Sequence, residues 1–415
     1  MYNKKLVTNF LSLLSVQGVN YLLPLITLPY LLRVLGPEKF GVVAFAQAFV
    51  QYFVLLTDYG FNLTATKAVS IHRDEKKKVS EIFSTIMLIK ILLMVFSFIV
   101  LILIVFSIDK FKVDWEIYIF TFGIVIGNVM FPIWFFQGME NMKVVSVLNA
   151  ISKIIFSLGL FICVTSAEEF YMVPLLTSMG YISVGFISLI VIKKQYNLDI
   201  IKPKKKDIYR ELKEGWEIFV STLSISLYTI SNTFILGIFT NNTVTGYYAS
   251  AEKLINALNG LINPISQTIF PHLSRIVNDS KAEALIFIKK VFKFNFCIFA
   301  IISVCIFVFS DYIIQIIFGT EYLESARVLK ILAPLPLLIS LSNILGVQTM
   351  INFGYKKAFS IILISSSFFN IALACILVPN YQHIGTAIGV LLSEIMVTGL
   401  MLIYLKKKKI VLWRR

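Results

Sequence analysis

The run IFSTIMLIKILLMVFSFIVLILIVFS (82–107) holds one charged side chain, Lys90, in 26 residues. A membrane-crossing helix needs about 20 mostly apolar residues, so this stretch identifies hydrocarbon as the solvent. Eleven further runs of similar character lie near 10–35, 40–66, 115–137, 144–165, 170–192, 215–238, 246–272, 291–313, 326–351, 357–378 and 384–405. Hydrophobic residues make up 58% of the chain and charged residues 15%, against roughly 45–50% and 25% in soluble domains. The sequence predicts an all-α, polytopic membrane protein with about 12 transmembrane helices.

Charge predicts the orientation. With both termini in the cytoplasm, the inside segments hold 29 of the 38 lysines and arginines, and the outside connections hold 6. Such asymmetry is the positive-inside signature. It also accounts for the formal net charge of +15 through helix ends beside an anionic leaflet, so nucleic acid is not an expected partner. The first run follows Lys4 and Lys5 as a secretory leader would, yet it is too long for one and no small-x-small site follows; it is expected to be retained. Cys163, Cys297, Cys305 and Cys375 fall inside apolar runs without metal-type spacing. The outside connections are short, the longest spanning about 311–326, which excludes a folded outer domain.

The chain repeats itself. GVVAFA (41–46) returns as GYYASA (246–251), 205 residues on. The same offset carries Gln47, Gln51, Asp58 and Asn62 onto Glu252, Asn256, Asn263 and Gln267, and Val54 onto Asn259. Steps of three and four place such residues along one helix face. Two six-helix lobes, 1–200 and 207–415, are expected, related by a parallel pseudo-two-fold repeat with a substrate site at the repeat interface. Hydrogen bonding between helices is the bland alternative for both polar stripes.

Ionisable residues inside apolar runs are costly and usually face a bundle interior or a wet cavity. Lys153 lies roughly 14 Å into the fifth run at 1.5 Å per residue, with Ser146, Asn149 and Ser157 on its face. Lys90 reaches a similar depth among apolar neighbours, where snorkelling is an alternative. Lys253 stands beside Glu252, so a local ion pair is an alternative there. Arg33, Arg327 and Lys330 fall near the outer ends, with interfacial anchoring as the competing role. Lys153, Lys90, Arg33, Lys253, Gln47, Gln51, Asn256, Asn259 and Asn263 are therefore the candidate substrate-binding residues. Asp58, Glu252 and Glu394 are the candidate ion-coupling residues. Each acid has open roles: carrying a coupling proton, carrying sodium, or neutralising a lysine. Prolines 24, 29, 132, 264, 334 and 336 are expected to bend their helices.

Lysines at depth favour an anionic cargo, and a lipid-attached one would keep its tail in the bilayer while its head group crosses. A potential negative inside favours outward movement of negative charge by about 2.3 kcal/mol per charge per 100 mV. No cofactor is expected; coupling to H+, Na+ or the membrane potential stays open.

The stretches NYLLPLITLPYLLRVLGPEKFGVVAFAQAF (20–49), DYGFN (58–62), PIWFFQGMENMK (132–143) and YYASAEKL (247–254) resemble the Wzx-type polysaccharide-biosynthesis flippases of bacteria. These belong to the multidrug/oligosaccharidyl-lipid/polysaccharide exporter superfamily. Arg33, Gly36, Gly41, Asp58, Gln137, Gly138 and Glu140 match positions expected there. The resemblance implies two lobes in a V-shaped arrangement. It implies movement of an undecaprenyl-diphosphate-linked oligosaccharide, an O-antigen repeat unit, from the inner to the outer face of the cytoplasmic membrane. Membrane lipids, a polysaccharide polymerase and a chain-length regulator are the partners it brings with it. A multidrug or metabolite exporter of the same superfamily and a peptidoglycan lipid-precursor flippase are the rival functions. A membrane oligosaccharide polymerase is disfavoured by the short outside connections, and an enzymatic role is not expected.

Overall fold

The computed structural model describes residues 2–260 and 262–410, with side chains throughout except at 2–22, 24–25, 221, 224–225, 227–229, 263–264, 267–268, 271–272 and 278. Every regular element among the described residues is helical. That is the form a single segment takes when no water is available to its backbone. Eight stretches are long and apolar enough to cross a membrane, and the chain is a multi-pass membrane protein. Two of the eight, Ile26–His72 and Lys356–Lys407, have 47 and 52 residues, more than one crossing needs, and each is broken inside. The expected runs at 215–238 and 246–272 fold as helices α9 (Lys205–Phe239), α10 (Asn242–Asn259) and α11 (Ile262–Asp279). Only Ile230–Phe239 of that region counts as a shorter apolar helix.

Helix α1 (Tyr2–Asp58) breaks at Gly36, with φ of 66°. The cause is local. Pro37 pushes the residue before it out of the helical region, glycine accepts positive φ without a Cβ clash, and proline then opens the next helical segment. Gly36 is the one residue of α1 whose backbone angles are non-helical, and the angles at prolines 24 and 29 stay helical. Pro132 does mark a break, between α5 (Trp115–Met130) and α6 (Ile133–Gly138). The last helix, α15 (Lys356–Lys407), breaks at Gln382, with φ of 49°. The outer connection expected near 311–326 is largely helical: α12 (Lys281–Ile317) runs well into it and α13 (Leu323–Leu332) soon follows.

The chain forms two compact units, one of residues 1–35 and 42–223, the other of residues 36–41 and 224–415. In the first, α2 (Phe61–His72), α3 (Lys76–Ser107), α6, α7 (Met142–Cys163) and α8 (Met172–Tyr196) enclose a core holding Phe61, Val69, Ile86, Trp134, Phe135 and Phe136. In the second, α11, α12, α15 and a π-helical turn at Ile344–Ile351 enclose Leu273, Ala284, Ile288, Leu345, Met350 and Val397. The connection after α8 is pinned to α3: the backbone N–H groups of Asp199 and Ile201 donate to Ser80 Oγ and Ser84 Oγ at 3.2 and 3.0 Å.

Several features recur at the offset of 205. Helices α3 and α12 begin at Lys76 and Lys281. Val79, Lys90, Leu101 and Val105 are buried along α3, and their counterparts Ala284, Asn295, Ile306 and Ser310 are buried along α12. Gly41 and Gly246 make reciprocal approaches within the second unit. A methyl group on Gly41 would overlap the carbonyl of Asn242, and one on Gly246 would overlap that of Pro37. Only glycine permits two backbones so near.

Candidate functional site

Asp58 is the last residue of α1, followed by Tyr59 and Gly60 with φ of 44° and 80°. Two successive left-handed residues stop the helix inside the apolar region and leave its last carbonyls without intrahelical partners. A carboxylate is poorly placed there, because the C-terminal end of a helix carries partial negative charge. Lys90 of α3 offsets it, donating from Nζ to Asp58 Oδ1 at 2.9 Å. The lysine is 1% exposed and the aspartate 23%, so Asp58 stands between Lys90 and the open side. Burial in this pair, not snorkelling, is where the structure puts Lys90.

The break is packed on the start of α9. The Tyr59 ring stacks on Phe219 with centroids 4.9 Å apart and planes within 11°. A Cβ on Gly60 would lie 2.9 Å from Ile218, and one on Gly215 would lie 2.9 Å from the carbonyl oxygen of Tyr59. Glycine at both positions lets the break seat against α9, which holds the Asp58 carboxylate at a fixed height.

The stretch 132–143 supports this corner. Trp134, Phe135 and Phe136 are fully buried, and the Trp134 carbonyl accepts from Thr66 Oγ1 at 3.1 Å. Gly138 faces α2 so closely that a Cβ would come 2.7 Å from Val69 and 3.0 Å from the Thr66 carbonyl. Glu140, at φ of 57°, binds Arg73 at 2.8 Å. Gln137 is exposed. This motif therefore positions α2 and, through it, Asp58.

In the second unit Glu252 is half-buried and accepts from Thr233 Oγ1 at 2.8 Å and Tyr248 Oη at 3.2 Å. Lys253 lies over the Phe40 ring, 4.9 Å from its centroid, a cation–π contact. Glu394 is 4% exposed and accepts from Ser342 Oγ at 2.7 Å. Asn256 is exposed and Asn259 half-buried, as Gln51 is exposed and Gln47 half-buried in the first unit. The Asn263 side chain lies outside the described residues. Lys153 is half-buried on α7 and makes no ion pair among the described residues. Arg33 is exposed. Arg327 and Lys330 bind Glu324 and Asp311 at 3.1 and 2.6 Å.

Of the residues singled out by sequence, the structure thus brings Asp58 and Lys90 together and gives Glu252 and Glu394 hydroxyl donors. Sequence reading missed Thr233, Tyr248 and Ser342. Their hydroxyls are ordinary in membrane helices; helix rotation selects Thr233 and Ser342, while Tyr248 stands four residues before Glu252 on the same helix, a spacing the sequence did carry. No group of three or more His, Cys, Asp or Glu side chains suited to a metal ion occurs among the described residues.

Residues 6–277 match the family model described as polysaccharide biosynthesis protein. A candidate O-antigen transporter of Escherichia coli (strain K12) is 35% identical over 403 residues, covering 97% of each chain. One of Shigella dysenteriae is 30% identical over 95% of this chain and 98% of its own. Two solved structures share the fold. The lipid II flippase MurJ in an inward closed conformation aligns with a TM-score of 0.75 at 15% identity, over 94% of this chain and 86% of that one. An inward-facing multidrug resistance MATE family transporter of the MOP superfamily aligns at 0.72 and 14% identity, over 93% and 94%. With a family model covering most of its length and relatives at 30–35% identity end to end, this chain belongs to the polysaccharide biosynthesis protein family.

Proposed function

We propose that the chain is a secondary transporter that flips an undecaprenyl-diphosphate-linked oligosaccharide, the O-antigen repeat unit, across the bacterial inner membrane by alternating access. The relatives named as O-antigen transporters match it end to end, which supports the cargo class. The observation that carries the reading is the Lys90–Asp58 pair, a cation held at 2.9 Å by a partly exposed carboxylate at a helix break. A diphosphate entering from the cytoplasmic side competes with Asp58 for the ammonium group. Protonation of Asp58, or its occupation by sodium, favours the exchange, because it removes the carboxylate's claim on Lys90. Glu252 and Glu394 serve coupling in the second lobe.

Lys153, which makes no ion pair among the described residues, offers a second cation, and it draws the head group inward. Arg33 and Lys253 receive it toward the outer face, with Gln47, Gln51, Asn256, Asn259 and Asn263 as hydroxyl partners for the sugars. Both termini lie in the cytoplasm, as the lysine distribution favours. A polymerase and a chain-length regulator act on the exported unit.

Disruption of the gene followed by mass analysis of lipid-linked intermediates tests this reading. Build-up of one intact repeat unit on the cytoplasmic face is the expected result. Build-up of undecorated peptidoglycan precursor, or none at all, contradicts it.

A further inference from the structure

A cavity of about 340 Å3 opens in the first unit between α2, α3 and α9, at the end that carries the lysine-rich connections. Ligand sites are usually clefts of about 300–1,000 Å3, so this one suits a small molecule or one unit of a larger one. Its polar wall is built from Lys67, Lys78, Glu81, Asp207, Arg210 and Glu214. Much of it is fixed in advance. Lys78 pairs with Glu81 at 3.4 Å and Arg210 with Asp207 at 3.3 Å. Glu211, also in the wall and only 5% exposed, holds the Arg210 guanidinium at 3.0 Å. That carboxyl sits above the ordinary range because burial disfavours its charge, an effect the Arg210 hydrogen bond opposes.

The charge pattern selects the ligand. Four carboxylates and three lysine or arginine side chains line the cavity, so the wall carries no excess of positive charge to hold a bare phosphate. It offers both donors and acceptors, as a polyol requires, since every hydroxyl both donates and accepts. Lys67 and Glu214 make no ion pair among the described residues, leaving one strong donor and one strong acceptor unused. Thr64 Oγ1, in the same wall, is buried with no hydrogen-bond partner among the described residues. Ala68, Ile71 and Ile82 supply apolar patches for the C–H faces of a ring. We infer that this cavity is a vestibule for an uncharged sugar of the cargo's head group, gripped by Lys67 and Glu214 before the diphosphate engages deeper charges. The inference rests on the reading of the cargo as a lipid-linked oligosaccharide.

The test uses the full-length protein in lipid nanodiscs and saturation-transfer NMR with free glucose, galactose, rhamnose and N-acetylglucosamine as probes. At least one should bind saturably, and Glu214→Ala and Lys67→Ala should each weaken it about tenfold, the loss of roughly one charge-assisted hydrogen bond. Sodium diphosphate should not displace it. Both side chains are exposed, so the variants should melt as the parent does. No saturable sugar binding, undiminished binding in both variants, or displacement by diphosphate overturns the vestibule. A parallel flipping assay in proteoliposomes separates the two readings. Sugar binding that needs Lys67 and Glu214 in a protein that moves no cargo sinks the transport reading alone. Cargo movement with sugar binding indifferent to both residues sinks the vestibule alone.

Discussion

The first unit buries an ion pair where the second has amides. Asp58 and Lys90 meet at 2.9 Å, and the repeat offset of 205 carries them onto Asn263 and Asn295. Lys90 and Asn295 are buried alike, at 1% and 3% exposure. At this pair of positions polarity recurs in both halves, and charge is found in the first alone. A buried ion pair is weak support for stability, since desolvation of both charges opposes their attraction. Its presence at these two positions in the first unit, with amides at the matching two in the second, therefore points to a role for the pair beyond holding the fold together.

The strongest challenge to this contrast is Asp58→Asn, which leaves Lys90 buried without a counter-charge. Breaking such a pair costs about 3–5 kcal/mol, readable as a fall in melting temperature of the purified protein. The swapped pair Asp58→Lys with Lys90→Asp should recover part of the loss. Asn295→Leu removes an amide and leaves no charge behind, and its cost should stay below about 1.5 kcal/mol. Equal losses from Asp58→Asn and Asn295→Leu would erase the distinction.

A second pair of substitutions compares one helix contact in each unit. In the first, Gly138 packs on Val69; in the second, Asn352 accepts from Ser274, the repeat counterpart of Val69, at 2.6 Å. Gly138→Ala forces two helices apart and should cost about 1–3 kcal/mol. Asn352→Ala removes a side-chain hydrogen bond and should cost about 1 kcal/mol. Chemical denaturation of both variants gives the comparison, and a larger effect at Asn352 would contradict it.

The acids of the second unit take hydroxyl donors where Asp58 takes a lysine. Ser342→Ala removes a hydroxyl donor from Glu394, and Thr233→Val removes one from Glu252. Each should slow ion-dependent transport in vesicles with an imposed gradient. Unchanged rates in both variants would contradict a coupling role for these acids.

The smallest expected effect concerns pH. Burial holds the Glu211 carboxyl above its ordinary value of 4.5, so the folded chain binds that proton more tightly than the unfolded one. Its contribution is therefore full below pH 4.5 and is lost as pH rises through the folded-state value. Glu211→Gln should flatten the melting curve's pH dependence in that window. An unchanged slope would count against burial as the cause.

Much of the fold was legible because a bilayer imposes a single length scale on every crossing helix. The two glycines that the sequence offset pairs, 41 and 246, do meet at one close backbone approach. The helix breaks were harder. Backbone angles stay helical at prolines 24 and 29 while Gly36 breaks the helix, since a Gly-Pro pair changes two residues' freedom at once. Pairings were illegible: 32 residues separate Asp58 from Lys90, and only helix rotation decides that they meet. The stretch 132–143 carried the family resemblance, and in the structure its Trp134, Phe135 and Phe136 are core, a role the sequence did not single out because aromatic side chains serve packing and recognition equally.

The most direct test is the rate at which undecaprenyl-diphosphate-linked oligosaccharide reaches the opposite leaflet of proteoliposomes. The parent protein should move it. Lys90→Met and the charge reversal Lys153→Glu should each abolish movement while still inserting in the membrane. Transport at the parental rate in both variants would contradict the assignment of buried lysines to an anionic head group.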